Sequence, residues 1–282
     1  MPAPAPLTTV VTATLAGSES KANQDHAIVT ARAAVVLDGA TSWLLQDPAR
    51  DGGWYARALG AALTPRLDDP GRTLGEIVAQ AVADLRDRYR LVPGDCPTST
   101  VTIVRWDLEA VEIYTLGDSP AVVYLTHTEP VAVYDVRLEA VGAAARAAYR
   151  AYLLAGHGYD ARLSTLIADL QLAERAERNR DGGYWIAESD PAAAAHAVTA
   201  AFPRDQVTAV LLASDGVSAD VLDYRRHDWG QVLHLATADP AGYLRDLHAV
   251  EDADHDGRRW PRAKRHDDKT LALIAVTPCV GR

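Results

Sequence analysis

The chain has 282 residues, of which 48% are hydrophobic, so it can bury one large core, and no shift in composition marks a second domain. We therefore expect a single domain over residues 1–282. Its 38 acidic and 28 basic residues give a net charge of -10, and such a surface repels nucleic acid and anionic membranes, which excludes both as expected partners.

The cysteines and the N-terminal segment indicate the cellular compartment in which the protein is expected. Neither Cys96 nor Cys279 has a second cysteine or a histidine at the spacing of a zinc site. Residues 1–11 lack a basic segment followed by an apolar one, and no uninterrupted apolar stretch of about 18 residues occurs. We expect a soluble, cytoplasmic protein in a reducing compartment, although the sequence alone leaves a single disulfide open.

The first third of the chain contains two kinds of pattern. Thr- and Val-rich segments predict antiparallel strands, and apolar residues spaced at three and four, with charged residues between them, predict amphipathic helices. The predicted strands cover residues 7–15, 27–30 and 33–37, and the helices cover 54–67 and 74–91.

The middle of the chain returns to strand composition and then becomes rich in Ala, Arg and Leu. Three segments joined by turns, 98–106, 111–116 and 121–125, predict a meander. Residues 138–180 have no β-branched runs and break at Gly156-His157-Gly158, which predicts a helical hairpin inserted between sheet elements.

The last third is predicted to alternate helices and strands. Runs of strands followed by runs of helices favour an α+β fold with helices outside mainly antiparallel sheets. The predicted elements are helices 192–201, 227–236 and 241–250, a strand 207–213, a polar loop 251–266 and a closing strand 271–277.

Four aspartates lie where an apolar strand meets a turn: Asp38, Asp118, Asp215 and Asp267. Carboxylates at strand ends are held by the ladder behind them and can converge from distant parts of the chain. An oxygen-only cluster of this kind suits Mg²⁺ or Mn²⁺. Any single Asp-Gly pair is more often ordinary turn chemistry, so only the combination points to a metal site.

Six short motifs around these aspartates follow one another along the chain. They are Asn23-Gln24-Asp25, residues 36–41, Thr98-Ser99-Thr100, residues 116–119, residues 212–216 and residues 267–271. In this order, over residues 7–277, they resemble the motif series of the protein phosphatase 2C (PPM) family of metal-dependent serine/threonine phosphatases, in its bacterial form.

The resemblance implies a fold and an activity. The fold would be an α-β-β-α sandwich of two antiparallel sheets flanked by helices, with residues 138–180 in the place of the family's variable flap. The activity would be hydrolysis of phosphoserine and phosphothreonine in a phosphoprotein substrate by a water held between two Mg²⁺ or Mn²⁺ ions, without a covalent phospho-enzyme.

The resemblance also assigns ligands to the metal ions. Asp38 would bind both ions, and the carbonyl group of Gly39 would bind one of them. Asp215 and Asp267 would bind the other ion, which makes Asp38, Asp215 and Asp267 the expected catalytic set. Asp118 would help Asp215 to hold a weaker third ion.

Two departures from the family concern the substrate. The position of the family's phosphate-gripping arginine is Ser20, and Lys21 beside it offers a point charge without the bidentate fork. Gln24 replaces an acidic residue of some members and could orient metal-bound water. Lys21 and Gln24 are therefore the candidate substrate-binding residues.

Three further departures concern catalysis. Ala40 stands where some members have a general-acid histidine, and Thr41 and Ser42 replace two glycines. Ala219 replaces an acidic residue four positions after Asp215, which weakens the case for a third ion.

These departures leave two alternatives to a protein phosphatase. One is a pseudophosphatase that keeps the fold and regulates a partner, and the other is a hydrolase of small phosphomonoesters. A monomer is expected in each case, and the sequence does not identify the substrate.

Overall fold

The structure of the protein is a computed structural model that describes residues 8–40 and 48–276. The described part contains two antiparallel five-stranded sheets and eight α-helices. The strands are β1 (Thr8–Leu15), β2 (Asp25–Val29), β3 (Ala33–Asp38), β4 (Val101–Trp106), β5 (Ala110–Leu116), β6 (Ala121–Leu125), β7 (Val131–Val133), β8 (Val198–Pro203), β9 (Val207–Ala213) and β10 (Lys269–Val276). The helices are α1 (Gly52–Leu63), α2 (Leu74–Tyr89), α3 (Arg137–Ala140), α4 (Ala143–Leu154), α5 (Ala161–Ala176), α6 (Asp215–Leu222), α7 (Trp229–Ala238) and α8 (Pro240–Ala253).

The two sheets pack face to face and helices cover both outer faces. One sheet has the order β1-β10-β9-β6-β7 and the other has the order β2-β3-β4-β5-β8. Along β3, Val35 and Leu37 face α1 and α2, whereas Ala34 and Val36 face the opposite sheet. Both faces of this strand are buried, which explains its uninterrupted apolar sequence. The predicted α+β sandwich is confirmed.

Three helices, α6, α7 and α8, pack on the other outer face, against β6, β9 and β10. The predicted helical hairpin is present as α4 and α5, which share a small core of their own that includes Tyr149, Leu153 and Ile167. In the described residues, no helix is both long enough and apolar enough to cross a membrane.

The predicted meander is wrong for its third strand. β4 pairs with β5 as expected, but β6 lies in the other sheet between β9 and β7. Gly117, with a positive φ of 98°, forms the turn after β5, and the chain then crosses from one sheet to the other. Local strand propensity does not specify the pairing partner, so sequence patterning predicted the strand but not its sheet.

The predicted helix 192–201 is also wrong. Residues 191–196 form a short 3₁₀ helix, and β8 follows and pairs with β5, with Ala200 opposite Ile113. The burial of β8 alternates along the strand, and this pairing overrides the helix propensity of its alanines. Sequence patterning also missed β7 and α6.

Two sequence predictions fall on residues outside the described ranges. Thr41 and Ser42, which replace the family's glycines, lie there, as does Cys279. Cys96 is buried as a free thiol.

Candidate metal centre

The ends of neighbouring strands bring four of the acidic residues together at one end of the sandwich. Asp25 begins β2 and Asp38 ends β3, and the register of these strands places the two residues opposite each other. Asp215 follows β9 as the first residue of α6, and Asp267 lies two residues before β10. Because Ala213 of β9 pairs with Leu271 of β10, the end of one strand lies beside the start of the other.

Hydrogen bonds of the backbone fix the position of Asp38. Its N–H donates to Thr100 Oγ1 over 3.2 Å, and its carbonyl accepts from the Thr100 N–H over 2.9 Å. Asp38 Oδ2 accepts the Asp215 N–H over 3.2 Å, which joins the two sheets at this point. The Thr98-Ser99-Thr100 motif therefore supports the backbone of the predicted central ligand.

The glycines of the two Asp-Gly pairs permit close approach of backbones. A Cβ at Gly39 would lie 2.3 Å from the carbonyl carbon of Gly52, and one at Gly216 would lie 2.0 Å from the carbonyl oxygen of Asp268. The start of α1 and the loop before β10 thus press against the centre where only glycine fits. Packing, and not turn chemistry alone, requires these glycines.

The loop before β10 is held by several hydrogen bonds. The Asp268 carboxylate accepts the N–H groups of Gly17 and Gln24, each over 2.8 Å. Asp267 Oδ1 accepts the Lys264 ammonium over 2.6 Å and the Asp268 N–H over 2.9 Å. Sequence reasoning missed Lys264, although its position three residues before Asp267 was a signal that a cation would lie near the centre.

Crowded carboxylates and loss of solvent make the centre hard to ionise. Loss of solvent, followed by the charges of neighbouring aspartates, raises the pKa of Asp38 and the pKa of Asp215 well above the ordinary value. Burial raises the pKa of Asp25 to about 8, a hydrogen bond from Ser214 opposes this, and the charges of Asp215 and Asp267 add to it. A bound cation would stabilise the ionised form of each group.

Asp25 carries a further mark of a ligand site. In the described part of the structure, its Oδ2 atom is buried and has no hydrogen-bond partner. An orphaned buried carboxylate oxygen is costly unless a water or an ion binds it. The oxygen-only donor set of Asp25, Asp38, Asp215 and Asp267 fits Mg²⁺ or Mn²⁺ in chemical type.

The neighbouring aspartates nevertheless lack the compact arrangement of ligand atoms that holds a metal ion. Among residues 8–40 and 48–276, one group of three His, Cys, Asp or Glu side chains has its ligand atoms all within 4.8 Å of one another, and that group is His248, Asp252 and His266. Asp38, Asp215 and Asp267 do not form such a group. The His266 nitrogens already lie 3.1 Å from Glu251 Oε2 and 3.0 Å from Asp252 Oδ1, and these contacts anchor the loop that carries Asp267.

Asp118 lies on the wall of the cleft, next to the helical insertion. Burial raises the pKa of Asp118, and the charge of Arg146 in α4 opposes this. Asp220, the nearest acidic residue to the acid missing at Ala219, faces the interior. It is fully buried and bound by Arg226 over 3.0 Å and by His227 over 2.8 Å, so it is committed to the packing of the fold.

A cleft of about 490 Å³ opens beside the aspartates. Asp118, Asp215 and Asp267 line it, together with four cationic side chains: Arg146, Arg150, Arg262 and Lys264. Arg146 and Arg150 come from α4, so the helical insertion forms one wall. The predicted substrate-binding residues Lys21 and Gln24 are not among the residues that line this cleft; Lys21 is exposed, and Gln24 contacts Asp268 through its backbone.

The raised pKa of Asp25 predicts how the metal-free protein responds to pH. The folded state keeps this proton up to about pH 8, whereas an aspartate of the unfolded chain loses it near about pH 4. Between these values the unfolded state binds fewer protons than the folded state, so stability falls as pH rises. Thermal denaturation in EDTA should show a falling midpoint from about pH 5 to about pH 8, and Asp25→Asn should flatten the curve. A midpoint that rises over this range would contradict the raised pKa.

Comparison with known proteins identifies the fold. No family model and no curated protein sequence matches the chain. A solved bacterial serine phosphatase is similar at 14% identity, covering 98% of this chain and 100% of that one, with a TM-score of 0.58. Serine/threonine phosphatase Stp1 from Staphylococcus aureus is similar at 13% identity over 96% of each chain, with a TM-score of 0.56.

A third structure contains metal. The catalytic domain of the serine/threonine protein phosphatase PstP, solved in complex with two manganese ions, is similar at 17% identity. The match covers 96% of this chain and 98% of that one, with a TM-score of 0.54. The chain therefore has the fold of bacterial serine/threonine phosphatases, and the resemblance predicted from its motifs is confirmed at the level of fold.

Proposed function

We propose that the protein is a metal-dependent phosphatase that removes phosphate from phosphoserine and phosphothreonine of a protein substrate. The observation that carries this proposal is the convergence of Asp25, Asp38, Asp215 and Asp267 beside strand ends at one end of the sandwich. The fold shared with serine/threonine phosphatases, one of them solved with two manganese ions, supports it.

Each residue has a proposed role toward the ions. Asp38 would be the shared ligand, Asp215 and Asp267 would complete one site, and the Gly39 carbonyl would contribute to the other. Asp25 would accept a hydrogen bond from a coordinated water through its orphaned oxygen. When bound, two divalent ions would supply a nucleophilic water and neutralise charge on the phosphoryl oxygens.

The remaining proposed roles concern the substrate. Arg146 and Arg150 of the insertion face the cleft, where a guanidinium can bind a phosphoryl group as a fork. They would replace the family's arginine, whose position is Ser20. Lys21 and Gln24 would bind the substrate at the edge of the metal centre.

The other proposals concern the third ion and the whole chain. Asp118 would hold a weak third ion. We propose a cytoplasmic monomer formed by a single domain.

Removal of metal tests the proposed activity directly. The purified protein should hydrolyse p-nitrophenyl phosphate in the presence of Mn²⁺. In EDTA the rate should fall by at least about a hundredfold, because the ions neutralise negative charge in the transition state. Added Mn²⁺ should restore the rate. Hydrolysis that EDTA does not change would contradict the metal mechanism.

The position of Lys264 favours a second candidate, a pseudophosphatase. An ammonium 2.6 Å from Asp267 Oδ1 partly neutralises a residue that an active centre would need as a metal ligand. Mn²⁺ binding without turnover above that of an Asp38→Asn variant would favour the pseudophosphatase. If turnover is observed, comparing phosphopeptides with sugar phosphates distinguishes a protein phosphatase from a hydrolase of small phosphomonoesters.

A further inference from the structure

Lys264 lies in the loop between α8 and β10, three residues before Asp267. Its Nζ atom is 2.6 Å from Asp267 Oδ1, and its side chain is 34% exposed, toward the cleft. Its charge also acts on Asp38 and Asp215. A single ammonium therefore balances part of the negative charge of three proposed metal ligands.

The loop on both sides of Lys264 is tied to the end of α8. Arg262 donates to Asp254 Oδ2 over 2.7 Å, and to the carbonyl oxygens of Glu251 and Asp254, each over 2.9 Å. Two residues after Lys264, His266 contacts Glu251 Oε2 over 3.1 Å. The backbone of this segment is thus held on both sides, which directs the lysine side chain at the aspartates.

The helical insertion provides another tie. The Tyr159 hydroxyl, which lies between α4 and α5, is 3.3 Å from the carbonyl oxygen of Arg262 and 3.2 Å from that of Lys264. These contacts connect the insertion to the lysine loop on the same side of the cleft. The placement of Lys264 is therefore a property of the fold and does not depend on its flexible side chain alone.

A divalent ion bound by Asp267 would stand next to this ammonium. The two cations share one carboxylate, so they repel each other and compete for its oxygens. The ligand atoms of Asp38, Asp215 and Asp267 do not all lie within 4.8 Å of one another, which agrees with an arrangement in which the ammonium, and not an ion, faces Asp267.

We propose that Lys264 is a tethered cation that competes with one of the two divalent ions for Asp267. This inference rests on the proposed metal centre, and it adds that the two sites bind their ions with unequal affinity. The ion that needs Asp267 binds weakly because it must displace the ammonium, whereas the ion held by Asp38 and Gly39 is less affected. Occupancy of the weaker site would then follow the concentration of free metal.

Calorimetric titration with Mn²⁺ tests the competition without any need for turnover. Lys264→Met should tighten the weaker site by about tenfold or more, because competition and repulsion are both removed. Lys264→Arg keeps the charge and should remain close to the wild type. Arg258→Met is the matched control, since it removes a positive charge from an exposed position of the same loop, and it should leave both sites unchanged.

A second readout guards against misfolding. In EDTA, Lys264→Met should unfold at a lower temperature than the wild type, because the carboxylates lose their counter-charge, and saturating Mn²⁺ should reverse the order. If Lys264→Met does not fold without metal, Lys264→Gln takes its place in both measurements. Weaker-site affinity that is unchanged or lower in these variants would overturn the proposal and assign Lys264 a purely structural role.

The two proposals fail in different ways. A wild type that binds Mn²⁺ but hydrolyses no phosphate ester would defeat the proposed function and leave the competition intact. Unchanged affinity in Lys264→Met, with normal hydrolysis in the wild type, would defeat the competition alone.

Discussion

Replacement of Asp38 by asparagine is expected to lower kcat/KM for p-nitrophenyl phosphate by at least about a thousandfold. Asp38 is the residue whose carboxylate meets Asp215 across the two sheets and whose backbone is fixed by Thr100. Asparagine keeps the shape and the backbone contacts but removes the charge that both ions would share. Steady-state kinetics at saturating Mn²⁺ measures this loss.

The same substitution should raise the stability of the metal-free protein. Asp38 is crowded by the carboxylates of Asp25 and Asp267, so a neutral side chain relieves repulsion. The variant should melt at a higher temperature than the wild type in EDTA and should gain little from Mn²⁺. A decrease in stability in EDTA together with normal turnover would show that Asp38 has a packing role only.

Asp205→Asn provides a matched control for this experiment. Asp205 is exposed just before the start of β9, whereas Asp215 follows the end of that strand. The control therefore removes one negative charge at the end of β9 that lies away from the proposed metal centre. Its turnover, metal affinity and stability should match those of the wild type.

Replacement of Glu251 by leucine is expected to destabilise the protein by about 3 to 5 kcal/mol. Glu251 and Lys269 are both buried, and the Lys269 ammonium donates to Glu251 Oε2 over 2.7 Å. Removing the carboxylate leaves an uncompensated charge in the core and also removes the acceptor of the Tyr224 hydroxyl. Urea denaturation should detect the change as a lower transition midpoint.

Two further variants make this prediction specific. Glu251→Leu combined with Lys269→Met should recover much of the stability, because a buried ion pair can be replaced by apolar side chains at little cost. Arg245→Ala removes one partner of an exposed pair with Asp239, 65% and 64% exposed, and should change stability by less than about 1 kcal/mol. Equal losses in Glu251→Leu and Arg245→Ala would contradict the role of burial.

The buried pair also connects stability to the proposed centre. Besides Glu251, the Lys269 ammonium binds the carbonyl oxygen of Asp267 over 2.9 Å. The double variant should therefore fold but bind Mn²⁺ more weakly than the wild type. The loss of affinity measures the joint contribution of Lys269 and of the Glu251–His266 contact to the position of Asp267.

The strands that carry the aspartates could be predicted because their sequence is constrained on both faces. β3 and β9 are buried between helices and the opposite sheet, so they are almost wholly apolar, and the apolar run of each gives way to polar residues at its end. Asp38 and Asp215 therefore stand out in the sequence. Residues 192–201 were predicted as a helix because this segment is rich in alanine, and its local sequence does not indicate that β8 pairs with β5.

The parts of the centre that escaped prediction depend on contacts between distant segments. Asp25 meets Asp38 through the register of two strands, and Lys264 reaches Asp267 because Arg262 and His266 tie its loop to α8. The sequence contains each of these residues, but their meeting depends on packing that no local pattern encodes. Ala219 stands where the family is expected to have an acidic residue, and the next residue, Asp220, is fully buried and paired with Arg226.

The central claim is that the converging aspartates form a divalent-metal centre, and a crystal structure grown with Mn²⁺ tests it most directly. Anomalous scattering should place two ions, both in contact with the Asp38 carboxylate, one of them also bound by Asp215 and Asp267 with the Lys264 ammonium displaced. A crystal at saturating Mn²⁺ with no anomalous peak beside Asp38, and with Lys264 still bound to Asp267, would contradict the account.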